Sequence, residues 1–198
     1  MSTIAVSRNR RTVLADTIPQ SLLNEIALIV GAAALVGVLA QISIPLGFTP
    51  VPITGQTLGV MLAGSALGWR RAGAAMALYV GAGVLGVPWF AHHAHGYAGP
   101  TFGYLIGFVV AGSALGWLAS RGSDRTVARA LVAMAVGDAI IFVFGVTWLA
   151  LSLHVGAATA IALGFTPFVW GELIKAGVAG LALPSAWRLV DRTTRHDG

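Results

Sequence analysis

Apolar positions along this chain fall in long unbroken runs and do not alternate with polar ones. Ile26 to Ala40 contains no polar side chain at all, and comparable runs recur up to about residue 187. Barrel strands crossing a membrane would show short segments with a polar residue at every second position. In hydrocarbon only helices and closed barrels satisfy every backbone group, and about 20 mostly apolar residues span the core as a helix. The pattern therefore predicts helices near 22–40, 54–69, 72–87, 101–119, 128–151 and 166–187.

Composition supports lipid as the solvent. Of 198 residues, 57% are hydrophobic and only 10% charged, with mean hydropathy +0.83. A soluble domain carries roughly 25% charged residues to face water. The net charge of +5 alone would suit nucleic acid, but its placement excludes that reading. Eleven of the 12 basic residues fall in four clusters: Arg8, Arg10 and Arg11; Arg70 and Arg71; Arg121, Arg125 and Arg129; Arg188, Arg192 and Arg195. Between them lie loops without Lys or Arg, roughly 41–53, 88–100 and 152–165. Because cytoplasmic loops hold the Lys and Arg excess, the clusters belong inside. The expectation is an all-α, multi-pass protein of the cytoplasmic membrane with six crossings and both termini cytoplasmic.

All six tryptophans, Trp69, Trp89, Trp117, Trp148, Trp170 and Trp187, fall near an expected helix end, as an interfacial aromatic belt requires. Arg8 to Arg11 followed by an apolar run ending Val38-Leu39-Ala40 faintly resembles a signal peptide. Asp16, Pro19, Asn24 and Glu25 interrupt that pattern, and cleavage would break the alternation of basic loops. The chain reads as a polar, mobile cytoplasmic tail (1–20), one membrane domain (21–187) and a second tail (188–198).

Glycine is frequent, at 26 residues, and GxxxG pairs such as Gly64/Gly68 and Gly112/Gly116 recur. On the first helix Ala27/Gly31 and Ala33/Gly37 have the same spacing. Small residues four apart let helix backbones approach closely in lipid, either within the chain or against another membrane protein. The heptapeptide AGSALGW occurs at 63–69 and again at 111–117. Internal duplication and convergence on packing needs both produce such a repeat; the slight similarity of the flanks favours convergence.

Few ionisable groups remain inside the expected helices: Asp138, Glu172 and Lys175, the sole lysine. At a helix centre each costs roughly 2.5–3.5 kcal/mol on insertion scales, so each needs a partner or a polar cavity. Glu172 and Lys175, three apart, share a helix face. Entering from outside near Thr166, the last helix places Glu172 about 9 Å along its axis. A structural ion pair, with Asp138 joining it, and a ligand site are both open readings. The first exterior loop, with Pro45, Pro50 and Pro52, is stiff and apolar, which suits a cover over a site. The second carries His92, His93, His95 and Tyr97; a His-rich tract can bind metal, but that loop holds no acidic or Cys ligand.

Enzyme readings find little support. Ser65 and Ser113 lie in G-S-A-L-G, not in a nucleophile elbow. Ala176 follows the only lysine, so no GxxxxGK[ST] exists and any use of ATP needs another subunit. Cysteine is absent, which removes thiolate chemistry and Cys-ligated metal.

Four segments carry a resemblance to a known family: IPLGFTPVPITGQTLGVMLAG at 44–64, YVGAGVLGVPWFA at 79–91, GPTFGYLIGF at 99–108 and GFTPFVWGELIKAG at 164–177. They are collinear from about residue 27 to 187, and together they resemble the BioY family. That resemblance implies a six-helix S component of an energy-coupling factor (ECF) transporter. It would bind biotin near the outer face, beneath the first loop and against helices 4 to 6, with a T transmembrane component and two cytoplasmic ATPases as partners. No cofactor and no resident metal are implied. By the same resemblance Glu172 and Lys175 match the family's acidic–Lys pair, Tyr104, Gln56, Thr101 and Asp138 are further candidate contacts, and the small-residue face of Ala33 and Gly37 matches the region that docks on the T component. Departures are Glu172 in place of the usual aspartate, Asp138 in place of a neutral polar residue, and the histidines of the second loop. An S component for thiamine or riboflavin, a metal-uptake component and an intramembrane hydrolase are the alternatives.

Overall fold

The structure, a computed structural model, describes residues 12–97 and 99–196. Arg8, Arg10 and Arg11 and the side chain of Arg195 lie outside the described part.

Helix α1 (Leu22–Ala40) starts where Ser21 Oγ accepts from the Asn24 N–H at 3.2 Å, with Glu25 in its first turn, both favourable at a helix N-terminus. The chain returns as an antiparallel hairpin of β1 (Ser43–Ile44) and β2 (Ile53–Thr54), in register Ser43↔Thr54 and Ile44↔Ile53. Prolines 45 and 52, which have no N–H to donate, limit the ladder to two pairs. Helix α2 (Gln56–Leu67) and α3 (Trp69–Val84) are separated only by Gly68, at φ 81 and ψ 166, a conformation closed to residues with a Cβ. Then follow α4 (Phe102–Ala119), α5 (Val127–Leu153), a short α6 (Ala157–Gly164), a 3-10 turn Thr166–Phe168 and α7 (Val169–His196).

The expected helices are present, and the hairpin and α6 are additions inside expected loops. Two tail expectations change. Residues Leu14–Thr17 form a 3-10 turn against α2 and α7 with Val13 and Ala15 buried, so the folded body begins well before residue 21. At the other end α7 continues helically to His196.

Helix α4 lies at the centre, packed against α2, α3 and α5, with 56% of its apolar stretch buried against 22% for α1. The repeated heptapeptides meet each other here. A Cβ on Gly64 would come within 3.0 Å of Leu115 Cβ and 3.2 Å of Gly112 O, and one on Gly116 within 2.5 Å of Trp69 N. The repeat is thus the two sides of one α2–α4 crossing, where missing side chains let the backbones touch.

Four stretches are long and apolar enough to cross a membrane: Leu22–Ala40, Gly99–Ala119, Val127–Leu153 and Ala157–Arg192. Helix α2, with 12 residues, reaches about 18 Å, short of the roughly 30 Å hydrocarbon core. The chain is a multi-pass membrane protein.

The tryptophans divide into two groups. Trp69, Trp117 and Trp170 are exposed at helix ends, as a belt requires. Trp89, Trp148 and Trp187 instead donate their indole N–H inside the protein, to Tyr79 O (2.9 Å), Gly99 O (3.0 Å) and Asp124 Oδ2 (2.5 Å). Position near a boundary does not separate an interfacial indole from one that staples two segments.

Candidate functional site

The starts of α2 and α7 come together beneath the hairpin. Glu172 occupies the first turn of α7, just after the 3-10 turn containing Pro167, where the helix N-terminus favours negative charge. Its Oε2 accepts from Thr57 Oγ at 2.8 Å and its Oε1 from Lys175 Nζ at 2.6 Å. Lys175 Nζ also donates to Thr57 Oγ at 2.8 Å, which closes a triangle of carboxylate, hydroxyl and ammonium. Glu172 is 7% exposed and Thr57 8%. In a setting this dry an unpaired charge would be costly, and mutual pairing is what lets all three groups stay.

A cavity of about 140 Å³ opens beside this triangle. Glu172, Thr57, Gln56, Thr54 and Thr101 give it polar walls, and Phe90, Tyr104, Phe108, Phe142 and Phe168 give it an aromatic one. Val51 and Pro52 of the first loop and Ala91 and Ala94 of the second close the top. Phe142 stands edge-on to Tyr104 at 6.1 Å and to Phe165 at 5.0 Å between ring centroids, so the wall is a packed aromatic cluster.

Of the expected contacts, Glu172, Tyr104, Gln56 and Thr101 line the cavity. Lys175 and Asp138 do not; Lys175 bonds to Glu172, and Asp138 stands beside the same pair. One Asp138 oxygen is buried without a hydrogen-bond partner. Gln56 is already committed, donating to the Tyr79 hydroxyl at 2.7 Å and accepting from Thr54 Oγ at 2.9 Å. The Tyr104 hydroxyl donates to Gly164 O at 2.7 Å, holding the end of α6.

Two polar residues escaped sequence reasoning. The one signal for Thr57 in the sequence is a hydroxyl beside Gln56 in a helix with few polar groups. Gln41 ends α1 and donates to Gly37 O, Trp89 O and Phe90 O (2.9, 3.1 and 3.2 Å), while its Oε1 accepts from the His93 N–H at 3.2 Å. It straps the second loop over the cavity. His92 Nε2 meets Ser43 Oγ at 3.0 Å, so this histidine binds the hairpin. Both His92 and His93 adopt positive φ, 57° and 59°, an uncommon conformation for residues with a Cβ. Among the described residues no three His, Asp or Glu side chains converge as a metal site. Among the described residues neither Ser65 nor Ser113 has a histidine partner, and Ser113 Oγ donates to Val109 O at 2.9 Å within its own helix.

The small residues of α1 need a correction. Ala33 is fully buried, and a Cβ on Gly37 would meet Trp89 at 3.2 Å. That face is turned inward onto the chain's own second loop. Ala27, Gly31 and Ala34 are the small residues left exposed, and space beside Gly31 is empty to 4 Å.

The BioY family profile matches residues 9–192. The biotin transporter BioY of Rhizobium etli is 37% identical over 165 residues, 78% of this chain and 87% of its own length. BioY2 of Lactococcus lactis subsp. cremoris is 38% identical over 81% of this chain and 90% of its own, and BioY of Thermotoga maritima 42% identical over 75% and 86%. The crystal structure of the S component for biotin from an ECF-type ABC transporter superposes with a TM-score of 0.76 at 21% identity, covering 86% of this chain and 95% of that one; it shares the fold. With the profile running almost end to end and relatives this similar over most of their length, this chain belongs to the BioY family.

Proposed function

We propose that this chain captures biotin at the outer face of the cytoplasmic membrane as the substrate-binding S component of an ECF-type transporter, and that it is not an enzyme. The observation that carries the reading is the Thr57–Glu172–Lys175 triangle beside an aromatic-walled cavity, in a chain whose relatives are named biotin transporters. Biotin's ureido group offers two N–H donors and one carbonyl acceptor. A carboxylate has about four acceptor positions and an ammonium three donors. Glu172, on the cavity wall, keeps acceptor positions beyond those filled by Thr57 and Lys175 and complements the ureido N–H groups, while Lys175, behind it, keeps one N–H. The aromatic wall suits the fused ring body.

The basic clusters argue for cytoplasmic termini and six crossings, with α2 and α3 as the short members. The energising partners are a T component and two ATPases, since this chain has no phosphate-binding loop. The exposed face of Ala27, Gly31 and Ala34 on α1 offers the T component a close helix approach, and Ala33 and Gly37 support that face from within.

Calorimetry of the detergent-solubilised protein with biotin, using thiamine and riboflavin as controls, tests the substrate. Saturable heat with biotin alone is expected. Heat with thiamine or riboflavin, and none with biotin, would move the chain to another vitamin.

A further inference from the structure

A second cavity, of about 430 Å³, lies away from the biotin site, between the end of α4 and the start of α5. Its apolar walls are Leu118, Val132, Ala133 and Val136, and its mouth carries Arg121, Arg129 and Ser123. Val132 is 66% exposed and Val136 41%, so the groove opens on the outer surface of the bundle, where acyl chains run.

The polar mouth is cationic. The Arg121 guanidinium sits over Trp117, its carbon 3.3 Å from the ring centroid, and its one hydrogen bond among the described residues goes back to the end of α4, at Trp117 O. That stacking fixes the guanidinium at the mouth while leaving its other N–H groups free. Arg129 has no ion-pair partner among the described residues. Ser123 Oγ is buried without a hydrogen-bond partner. The N-terminus of the 27-residue α5 adds partial positive charge, because Thr126 supplies no side-chain cap. The nearest acid, Asp124, does not line the groove; it is buried and engaged by Trp187 and Arg125.

We infer that this groove holds an anionic phospholipid of the cytoplasmic leaflet, its phosphate between Arg121, Arg129 and Ser123 and an acyl chain along Val132 and Val136. Basic pockets between helices on the cytoplasmic side are suited to acidic headgroups. The leaflet, though not the groove, rests on the orientation proposed above.

Native mass spectrometry of the purified protein, offered equal amounts of phosphatidylglycerol and phosphatidylcholine, tests it. Phosphatidylglycerol adducts should dominate, and the double variant R121A/R129A should lose them on the order of tenfold, since each basic residue near the surface contributes several-fold. Equal retention of the two lipids, or undiminished phosphatidylglycerol in the double variant, overturns the site. Complete displacement by excess inorganic phosphate overturns the lipid assignment in favour of a small-anion site. Both arginines are exposed, and unchanged biotin binding in the double variant shows that it is folded. Arg129→Gln alone should give an intermediate loss. The chain has no cysteine, so Thr126→Cys introduces a single thiol. Its labelling by an impermeant maleimide only after cells are permeabilised is expected, and labelling in intact cells overturns the leaflet assignment. Failure of biotin binding would sink the transport reading without touching the lipid result.

Discussion

At one end of α2, Glu172 shares its carboxylate between Thr57 and Lys175 and faces a cavity. At the other end Arg71 binds Asp16 at 3.1 Å and Glu25 at 2.5 Å, and lines neither cavity described above. Both are clusters of acids around one base in a chain with few charges. The first keeps unused hydrogen-bonding positions on the side where a ligand can enter. The second uses its charges on three chain segments, fixing the N-terminal turn and α1 to α3. Clustered charge alone therefore does not mark a binding site; what marks it is charge with unfilled positions beside empty space.

Substitutions separate the two clusters. Glu172→Gln should weaken biotin binding most, by roughly 10- to 100-fold, because hydrogen bonds to charged groups are worth about 1.5–3 kcal/mol; calorimetry reads the affinity, and near-normal melting confirms the fold. Wild-type affinity would remove Glu172 from the site. Arg71→Ala should do the reverse, leaving affinity intact and lowering stability by roughly 1–3 kcal/mol, less than for a fully buried pair because Glu25 is partly exposed. Thermal unfolding in detergent measures it, and a loss of affinity without loss of stability would break the distinction. Tyr104→Phe removes the hydroxyl bond to Gly164 O, worth about 0.5–1.5 kcal/mol, and should change affinity by no more than a few-fold. A larger loss would make the hydroxyl a ligand contact.

The smallest effect concerns two acids outside the membrane-spanning helices. For Asp124, burial raises the carboxyl above its ordinary range, against the opposing Trp187 N–H bond and the Arg125 charge. Its folded form holds a proton more tightly than the unfolded chain, so its contribution is greatest below the ordinary value of 3.8 and declines as pH rises through the folded value. Asp16 runs the other way. Burial pushes it up, but hydrogen bonds from Thr12, Val13 and Arg71 outweigh that and lower it. Its contribution is present above 3.8 and is lost as pH falls through the folded value. Asp124→Asn should therefore leave neutral-pH melting equal or slightly higher, and Asp16→Asn should lower it. Melting curves at neutral and acid pH check both signs.

The helices and the acidic–Lys pair were legible because each follows from a local pattern. Unbroken apolar runs mark spans, and three-residue spacing puts Glu172 and Lys175 on one face. What escaped depends on contacts distant in sequence. Thr57 matters only because it lies 2.8 Å from groups more than a hundred residues away. Helical periodicity cannot say which face of α1 looks inward, so the expectation of Ala33 and Gly37 as the docking face had no geometry behind it, and Trp89 lies against Gly37. The hairpin escaped because two paired residues per strand leave no alternation to read.

Lys175 also gives the chain a built-in chemical reporter. It is the only lysine, so apart from the N-terminus an acylating reagent has a single primary amine to find. That amine is 14% exposed and held between a carboxylate and a hydroxyl, so a reagent reaches it only by competing with Glu172 and Thr57. The rate at which it becomes modified would report, without an engineered label, how firmly the triangle holds it, and protection by an added molecule would place that molecule beside the triangle.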